Sequence, residues 1–96
     1  MAQLSKEDIH HRLEKMTGWS QQGNALQRKY TFKSFLSGIQ FVNKVAEAAE
    51  TAGHHPDIAI NYNLVSITLS THSEGGVTEK DFNLAERIDQ IRALLP

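Results

Sequence analysis

Histidine is the residue type in this sequence best suited to chemistry near neutral pH. Three of the five histidines, His54, His55 and His72, lie beside structural breaks rather than inside a periodic segment. The pair follows Gly53 and precedes Pro56. The unperturbed pKa of histidine is about 6.5, so one ring can donate a proton while another accepts one. The residues alone therefore leave three interpretations open: acid–base catalysis, a metal site, or a helix cap and a strand end without function.

A zinc site is the main chemical alternative. Imidazoles and a carboxylate bind zinc, and Glu50 lies one helical turn before His54. Adjacent histidines, however, lack the i, i+4 spacing of the helical H-E-x-x-H motif. The other two histidines, His10 and His11, are adjacent on a predicted helix, where their side chains point about 100° apart. We therefore predict a solvated surface position for both.

Composition excludes several other classes of function. The 96 residues suit one domain, 1–96, and an apolar fraction of 40% is enough for a packed core. A formal charge of −1 with interspersed signs offers no basic stripe for nucleic acid, and the lack of cysteine excludes disulfides and thiolate chemistry. No apolar run approaches the about 20 residues of a membrane span, and the first residues lack a signal-peptide core. We expect a soluble, cytoplasmic protein without a membrane or direct nucleic-acid partner.

Hydrophobic periodicity predicts three helices. The first covers 4–16 and is capped by Ser5, and the second begins near Phe35 and ends at Gly53, a residue suited to a left-handed helix end. The third follows a capping box formed by Thr78 and Asp81. The second helix carries a wide apolar stripe and is the longest of the three.

Two hairpins are predicted between these helices. Segments 19–22 and 26–32 flank a Gly-Asn turn, and segments 58–62 and 65–72 flank Asn63. The order α-β-β-α-β-β-α with one-sided strands predicts an α+β fold, a four-stranded antiparallel sheet with helices packed on one face. If the second hairpin folds back near Asn63, His54, His55 and His72 reach the same end of the sheet. Edge strands without proline or charge runs favour self-association.

The histidines and their neighbours resemble the signature of the pterin-4a-carbinolamine dehydratases, also called 4a-hydroxytetrahydrobiopterin dehydratases. The similarity extends over nearly the whole chain, and the family's fold matches the predicted order of elements. Some members of this family also act as the dimerisation cofactor of a homeodomain transcription factor. The residues that match at the family's spacing are Glu50, His54, His55, Pro56, Tyr62, His72 and Asp81.

The resemblance implies dehydration of 4a-hydroxytetrahydropterin to quinonoid dihydropterin, which recycles the cofactor of the aromatic amino acid hydroxylases. The enzyme itself would use neither a cofactor nor a metal. Loss of the hydroxyl group requires one proton delivered to the leaving oxygen and one removed from a ring nitrogen. The resemblance assigns these two roles to His54 and His72, with the direction of transfer left open, and gives His55 mainly a role in orienting the substrate.

The resemblance also implies a set of substrate-binding positions. Backbone groups of Ser70 and Thr71 would contact the flat pterin, Glu50 would orient or polarise a histidine, and Pro56 would fix the backbone beside the pair. Asp81 is a further candidate, although its capping box gives it a structural role of its own. The implied substrate-binding residues are Glu50, Pro56, Ser70, Thr71 and Asp81.

Three positions qualify this assignment. Trp19 and Tyr62 are predicted to pack in the core rather than contact substrate. Gly53 stands where some relatives carry an acidic residue, so electrostatic support for the histidine pair is expected from Glu50 or Asp57.

The partners implied by the resemblance are a small-molecule pterin and further copies of the chain, as a homodimer or homotetramer. The main alternative function is a noncatalytic dimerisation or coactivator role with a transcription factor, exerted through a helical surface. No motif in the sequence favours that role.

Overall fold

The computed structural model describes residues 2–96 and has the predicted order α-β-β-α-β-β-α. A 3-10 turn, His72–Glu74, precedes the last helix. The order confirms the predicted α+β fold. The elements are α1 (Lys6–Leu13), β1 (Ser20–Gln22), β2 (Ala25–Thr31), α2 (Phe35–Ala52), β3 (Asp57–Asn61), β4 (Leu64–Leu69) and α3 (Glu79–Leu94).

The four strands form one antiparallel sheet in the order β1-β2-β4-β3. Asp57 at the start of β3 pairs with Thr68 near the end of β4, and Asn61 pairs with Leu64 at the other end of the hairpin. The segment that precedes β3 and the segment that follows β4 therefore lie at the same end of the sheet, as the hairpin prediction requires.

The helices pack on one face of this sheet, because alternate residues of the two central strands are apolar. Their inward side chains are met by Phe41 and Val45 of α2 and by Phe82 and Ile88 of α3, all fully buried. Complete burial of an aliphatic or phenyl side chain contributes about 1.5–3 kcal/mol to folding. The fully buried inward side chains of β2 and β4 are Leu26, Val65, Ile67 and Leu69.

Three predicted helix caps are present and determine where the site residues lie. The Ser5 hydroxyl accepts a hydrogen bond from the Asp8 N–H, at 3.1 Å. Gly53 ends α2 with a φ of 63°, which a residue with a Cβ adopts at a cost. Thr78 and Asp81 form the capping box at the start of α3. His54 therefore follows directly after a fixed helix end, and Asp81 lies in the first turn of a fixed helix start.

The predicted core position of Tyr62 is wrong. Tyr62 occupies the tip of the second hairpin with a φ of 53°, and 69% of the residue is exposed. The strand before it, β3, is at the edge of the sheet, and Ile60 in this strand is also exposed. The predicted stripe on α2 is likewise wider than the core, because Phe35 and Leu36 are exposed in the first turn of the helix.

The predicted core position of Trp19 is confirmed, and the structure adds a polar partner. The Trp19 indole N–H donates to Asp89 of α3, as do an Arg28 guanidinium N–H at 3.0 Å and the Tyr30 hydroxyl at 2.5 Å. Burial raises the pKa of Tyr30 above its ordinary value, and the hydrogen bond and negative charge of Asp89 raise it further. This cluster connects α3 to the first hairpin.

Among residues 2–96, no helix is long and apolar enough to cross a membrane.

Candidate active site

The structure brings the three candidate histidines together around one cavity of about 280 Å³ at the end of the sheet. Residues from the end of α2, the end of β4, the 3-10 turn and the start of α3 form its walls. The site is thus assembled from four segments whose ends meet at one point. The lining residues are Gly53, His54, His55, Ser70, Thr71, His72, Ser73 and Lys80.

His54 is the most enclosed of the three histidines, and its partner is a buried carboxylate. Its side chain is 11% exposed, whereas the Asp81 side chain is 0% exposed. The His54 Nε2 atom lies 2.5 Å from Asp81 Oδ1. A carboxylate at this distance fixes the orientation of an imidazole ring. Because Nε2 is engaged, Nδ1 is the nitrogen through which His54 can exchange a proton with a ligand.

Asp81 combines this contact with the predicted capping box. Its Oδ2 atom accepts from the Thr78 backbone N–H at 2.9 Å and from the Thr71 hydroxyl at 2.8 Å. The Thr71 and Thr78 hydroxyls are also 2.8 Å apart. Both oxygens of a fully buried carboxylate are therefore satisfied, and in residues 2–96 no buried side-chain polar atom lacks a partner. The same residue starts α3 and holds His54.

His55 differs from His54 because it lies in solvent. Its Nε2 atom pairs with Oε2 of Glu50 on the preceding turn of α2, and the two side chains are 66% and 76% exposed. An exposed ion pair contributes little to stability. Glu50 is thus beside a histidine of the site, but this histidine is His55 and not the enclosed His54.

His72 is exposed and begins the 3-10 turn rather than ending β4 as predicted. The strand stops at Leu69 because Thr71 leaves the ladder and forms an isolated bridge with Gly76. The Thr71 N–H donates to the Gly76 carbonyl at 2.9 Å, so it is engaged within the protein. The Ser70 hydroxyl donates to the Asn24 carbonyl at 2.9 Å. Both residues line the cavity, with these polar groups already bonded.

Two features of the site do not follow from the sequence reasoning. The predicted support of the histidine pair by Glu50 is present at His55. The enclosed His54 is instead held by Asp81, which lies 27 residues farther along the chain. Lys80 was not a candidate, yet it lines the cavity from the first turn of α3. Its position immediately before Asp81 in the capping box is the one sequence signal that points to it.

The remaining histidines lie away from the site, as predicted. His10 and His11 are exposed on α1 beside Glu14, at 3.9 and 3.4 Å. Pro56 follows the pair and is partly buried. Within the described part of the chain, no group of three or more histidine, aspartate or glutamate side chains is arranged to hold a metal ion.

Fold and site together define a small α+β domain with a histidine pocket at one end of its sheet, backed by a buried carboxylate. Comparison with known proteins identifies the family to which such a domain belongs. The family model described as "Pterin 4 alpha carbinolamine dehydratase" matches residues 2–91. The chain belongs to the pterin-4a-carbinolamine dehydratase family.

Individual relatives agree with this membership. A protein of Nostoc sp., provisionally named a pterin-4-alpha-carbinolamine dehydratase, is 52% identical over 92 residues, which are 95% of this chain and 99% of that protein. A crystal structure from Brucella melitensis, described as a transcriptional coactivator/pterin dehydratase, superposes with a TM-score of 0.89 at 35% identity and covers 93% of this chain and 97% of the other. A pterin dehydratase-like protein described as a RuBisCO assembly factor has a TM-score of 0.66 at 28% identity, over 77% of this chain and 88% of its own.

Proposed function

We propose that this protein is a hydro-lyase that dehydrates 4a-hydroxytetrahydropterin to quinonoid dihydropterin. In the cell this reaction would recycle the cofactor of aromatic amino acid hydroxylases. The observation that carries the proposal is one cavity lined by His72 and by His54, the histidine that contacts the buried carboxylate of Asp81. Membership of a dehydratase family supports the same reaction.

The reaction needs two proton transfers and no change of oxidation state. The bond between C4a and the hydroxyl oxygen breaks, a proton is added to that oxygen, and water leaves. A proton is lost from a ring nitrogen as the new double bond forms. Imidazoles are suited to both transfers, since each is effective near neutral pH.

His54 is proposed to remove the proton from the ring nitrogen. Asp81 accepts a hydrogen bond from Nε2–H, which leaves the lone pair of a neutral ring on Nδ1, and it stabilises the cation formed when Nδ1 is protonated. His72, on the 3-10 turn that lines the same cavity, is proposed to deliver the proton to the hydroxyl. His55, which is exposed and pairs with Glu50, is proposed to orient the pterin. Ser70 and Thr71 line the same cavity, and Pro56 is proposed to fix the backbone that follows the histidine pair.

The proposal extends to assembly and location. Phe35 and Leu36 are 51% and 62% exposed at the start of α2, which favours a homodimer or homotetramer in which this apolar surface is covered. A cytoplasmic location suits the proposed substrate and the lack of cysteine.

A coactivator-like role with a protein partner is the second candidate. The same exposed residues of α2 and the description of the Brucella melitensis protein support it. Replacing Phe35 with Ser would separate the two functions. Self-association, measured by sedimentation velocity, should weaken, whereas the dehydratase activity of each folded chain should be retained if catalysis resides in the histidine cavity.

The test of the proposed reaction is to generate 4a-hydroxytetrahydropterin and follow its loss by ultraviolet absorbance with and without protein. The expected result is acceleration proportional to protein concentration. A folded protein that gives no acceleration would contradict the proposal and leave the partner role as the stronger candidate.

A further inference from the structure

A second and larger cavity, of about 530 Å³, lies between α2 and α3. It shares two wall residues, His54 and Lys80, with the histidine cavity. The groove therefore adjoins the proposed catalytic pocket along these two side chains. Its function is not accounted for by the dehydration chemistry.

The groove combines an apolar floor with a cationic rim. Its floor includes Leu84 and Ile91, both buried in the core. Three cations, Lys44, Lys80 and Arg87, line it with a single carboxylate, Glu47. This is a local excess of positive charge in a chain whose formal net charge is −1.

Among the residues that the structure describes, two of the three cations have no carboxylate partner. Glu47 lies 3.9 Å from Lys44. No carboxylate oxygen of residues 2–96 lies within 4.0 Å of a side-chain nitrogen of Lys80 or Arg87. Lys80 is at the start of α3, where the helix dipole adds positive potential, and Arg87 lies seven residues farther on the same face, about 10 Å along the axis.

We propose that this groove binds an anionic substituent, phosphate or carboxylate, carried by the pterin whose ring occupies the histidine cavity. The inference rests on the proposed function, because it names the substrate class of that same site. The substituent passes His54 and Lys80 and ends against Arg87, and an apolar linker contacts the floor of the groove. A neutral substituent would leave both unpaired cations without a partner.

The test compares three carbinolamine substrates that share one ring and differ in the side chain: a neutral diol, its monophosphate and a carboxylate. For the wild-type protein, kcat/KM should be higher with both anionic substrates, and the advantage should shrink as ionic strength rises. Arg87→Gln should lower kcat/KM for the anionic substrates about 3- to 10-fold. The value for the neutral substrate should not change. Glu47→Gln should raise kcat/KM for the anionic substrates, because the substitution removes the carboxylate that lines the groove and repels an anion.

The matched control is Lys29→Gln, which removes an equal charge from an exposed position of β2 that lines neither cavity. This variant should change kcat/KM for none of the three substrates. A binding measurement independent of turnover uses the stable 7,8-dihydropterin monophosphate, whose Kd should rise with Arg87→Gln and not with Lys29→Gln.

The outcomes distinguish the groove from the reaction. If the neutral carbinolamine is dehydrated and Arg87→Gln affects all three substrates equally, or none, the groove proposal is overturned and the reaction stands. Binding of inorganic phosphate alone, without an advantage for the phosphorylated pterin, would indicate a site for a free anion and would also overturn it. If no carbinolamine is dehydrated, the proposed function fails, and the substrate class inferred from it fails too.

Discussion

Replacing Asp81 with Asn tests the most specific feature of the site. The carboxylate accepts hydrogen bonds from the Thr78 N–H and the Thr71 hydroxyl on one oxygen and contacts the His54 ring on the other. An amide has one accepting oxygen, and its NH₂ group can only donate. The substitution keeps the shape of the side chain but cannot serve both sides of this buried position.

Two arrangements are available to the variant. If the amide oxygen caps α3, the NH₂ group faces His54, the ring proton moves to Nδ1, and the proposed base loses its lone pair toward the substrate. If the oxygen faces His54, the buried Thr78 N–H loses its acceptor, at a cost of about 1–3 kcal/mol. The first arrangement leaves no buried donor unsatisfied, so it should prevail.

The expected result is therefore a loss of catalysis that exceeds the loss of stability. We expect kcat to fall about 10²- to 10⁴-fold, whereas the free energy of unfolding should fall by no more than about 1–3 kcal/mol out of the about 5–15 kcal/mol of an ordinary domain. Both quantities are measured on folded protein, by stopped-flow absorbance and by urea unfolding.

Thr78→Ala is the matched control, because it removes the capping hydroxyl and leaves the contact between Asp81 and His54 in place. It should lower stability by about 0.5–2 kcal/mol and leave kcat near the wild-type value. The reasoning is refuted if Asp81→Asn retains wild-type kcat, or if Thr78→Ala loses as much activity as Asp81→Asn does.

Two further predictions concern other parts of the molecule. His72→Ala should lower kcat about 10²- to 10⁴-fold because it removes the proposed proton donor, whereas His10→Ala on the exposed face of α1 should leave it unchanged; equal losses in the two variants would contradict the assignment. The pKa of Tyr30 is raised in the folded protein, so folding favours the protonated hydroxyl. The stability that this residue contributes is therefore fully present below about pH 10, the pKa of an unfolded tyrosine, and is lost as the pH rises above that value. Tyr30→Phe should lower stability at pH 7 by about 1 kcal/mol through the lost hydrogen bond to Asp89 and should make urea unfolding less sensitive to pH between 9 and 11; an unchanged alkaline slope would contradict this account.

Local signals in the sequence were enough to predict the fold and the meeting of the histidines. Ser5, Gly53 and the Thr78 capping box mark helix ends through short-range hydrogen bonds or backbone conformation, so their effect is contained within a few residues. The order of elements and the one-sided strands then determine that the segment before β3 and the segment after β4 share one end of the sheet.

The parts that were not predicted depend on packing between distant segments. The contact of His54 with Asp81 depends on where the start of α3 meets the end of α2, which neither helix specifies alone. The alternation of Ile58, Ile60 and Tyr62 is that of a buried strand face, but β3 lies at the sheet edge and Tyr62 is exposed at the tip of its hairpin. Lys80 lines the cavity because α3 packs at this end of the sheet, and its place beside Asp81 in the capping box does not by itself indicate that packing.

The central claim is that the histidine cavity dehydrates a pterin carbinolamine by acid–base chemistry. The most direct measurement is the decay rate of freshly generated 4a-hydroxytetrahydropterin with wild-type protein and with His54→Ala, each in the presence of a chelator. The account predicts strong acceleration by the wild-type protein that chelation does not reduce, and almost none by the folded variant. Equal acceleration by both proteins, or activity that chelation abolishes and zinc restores, would contradict it.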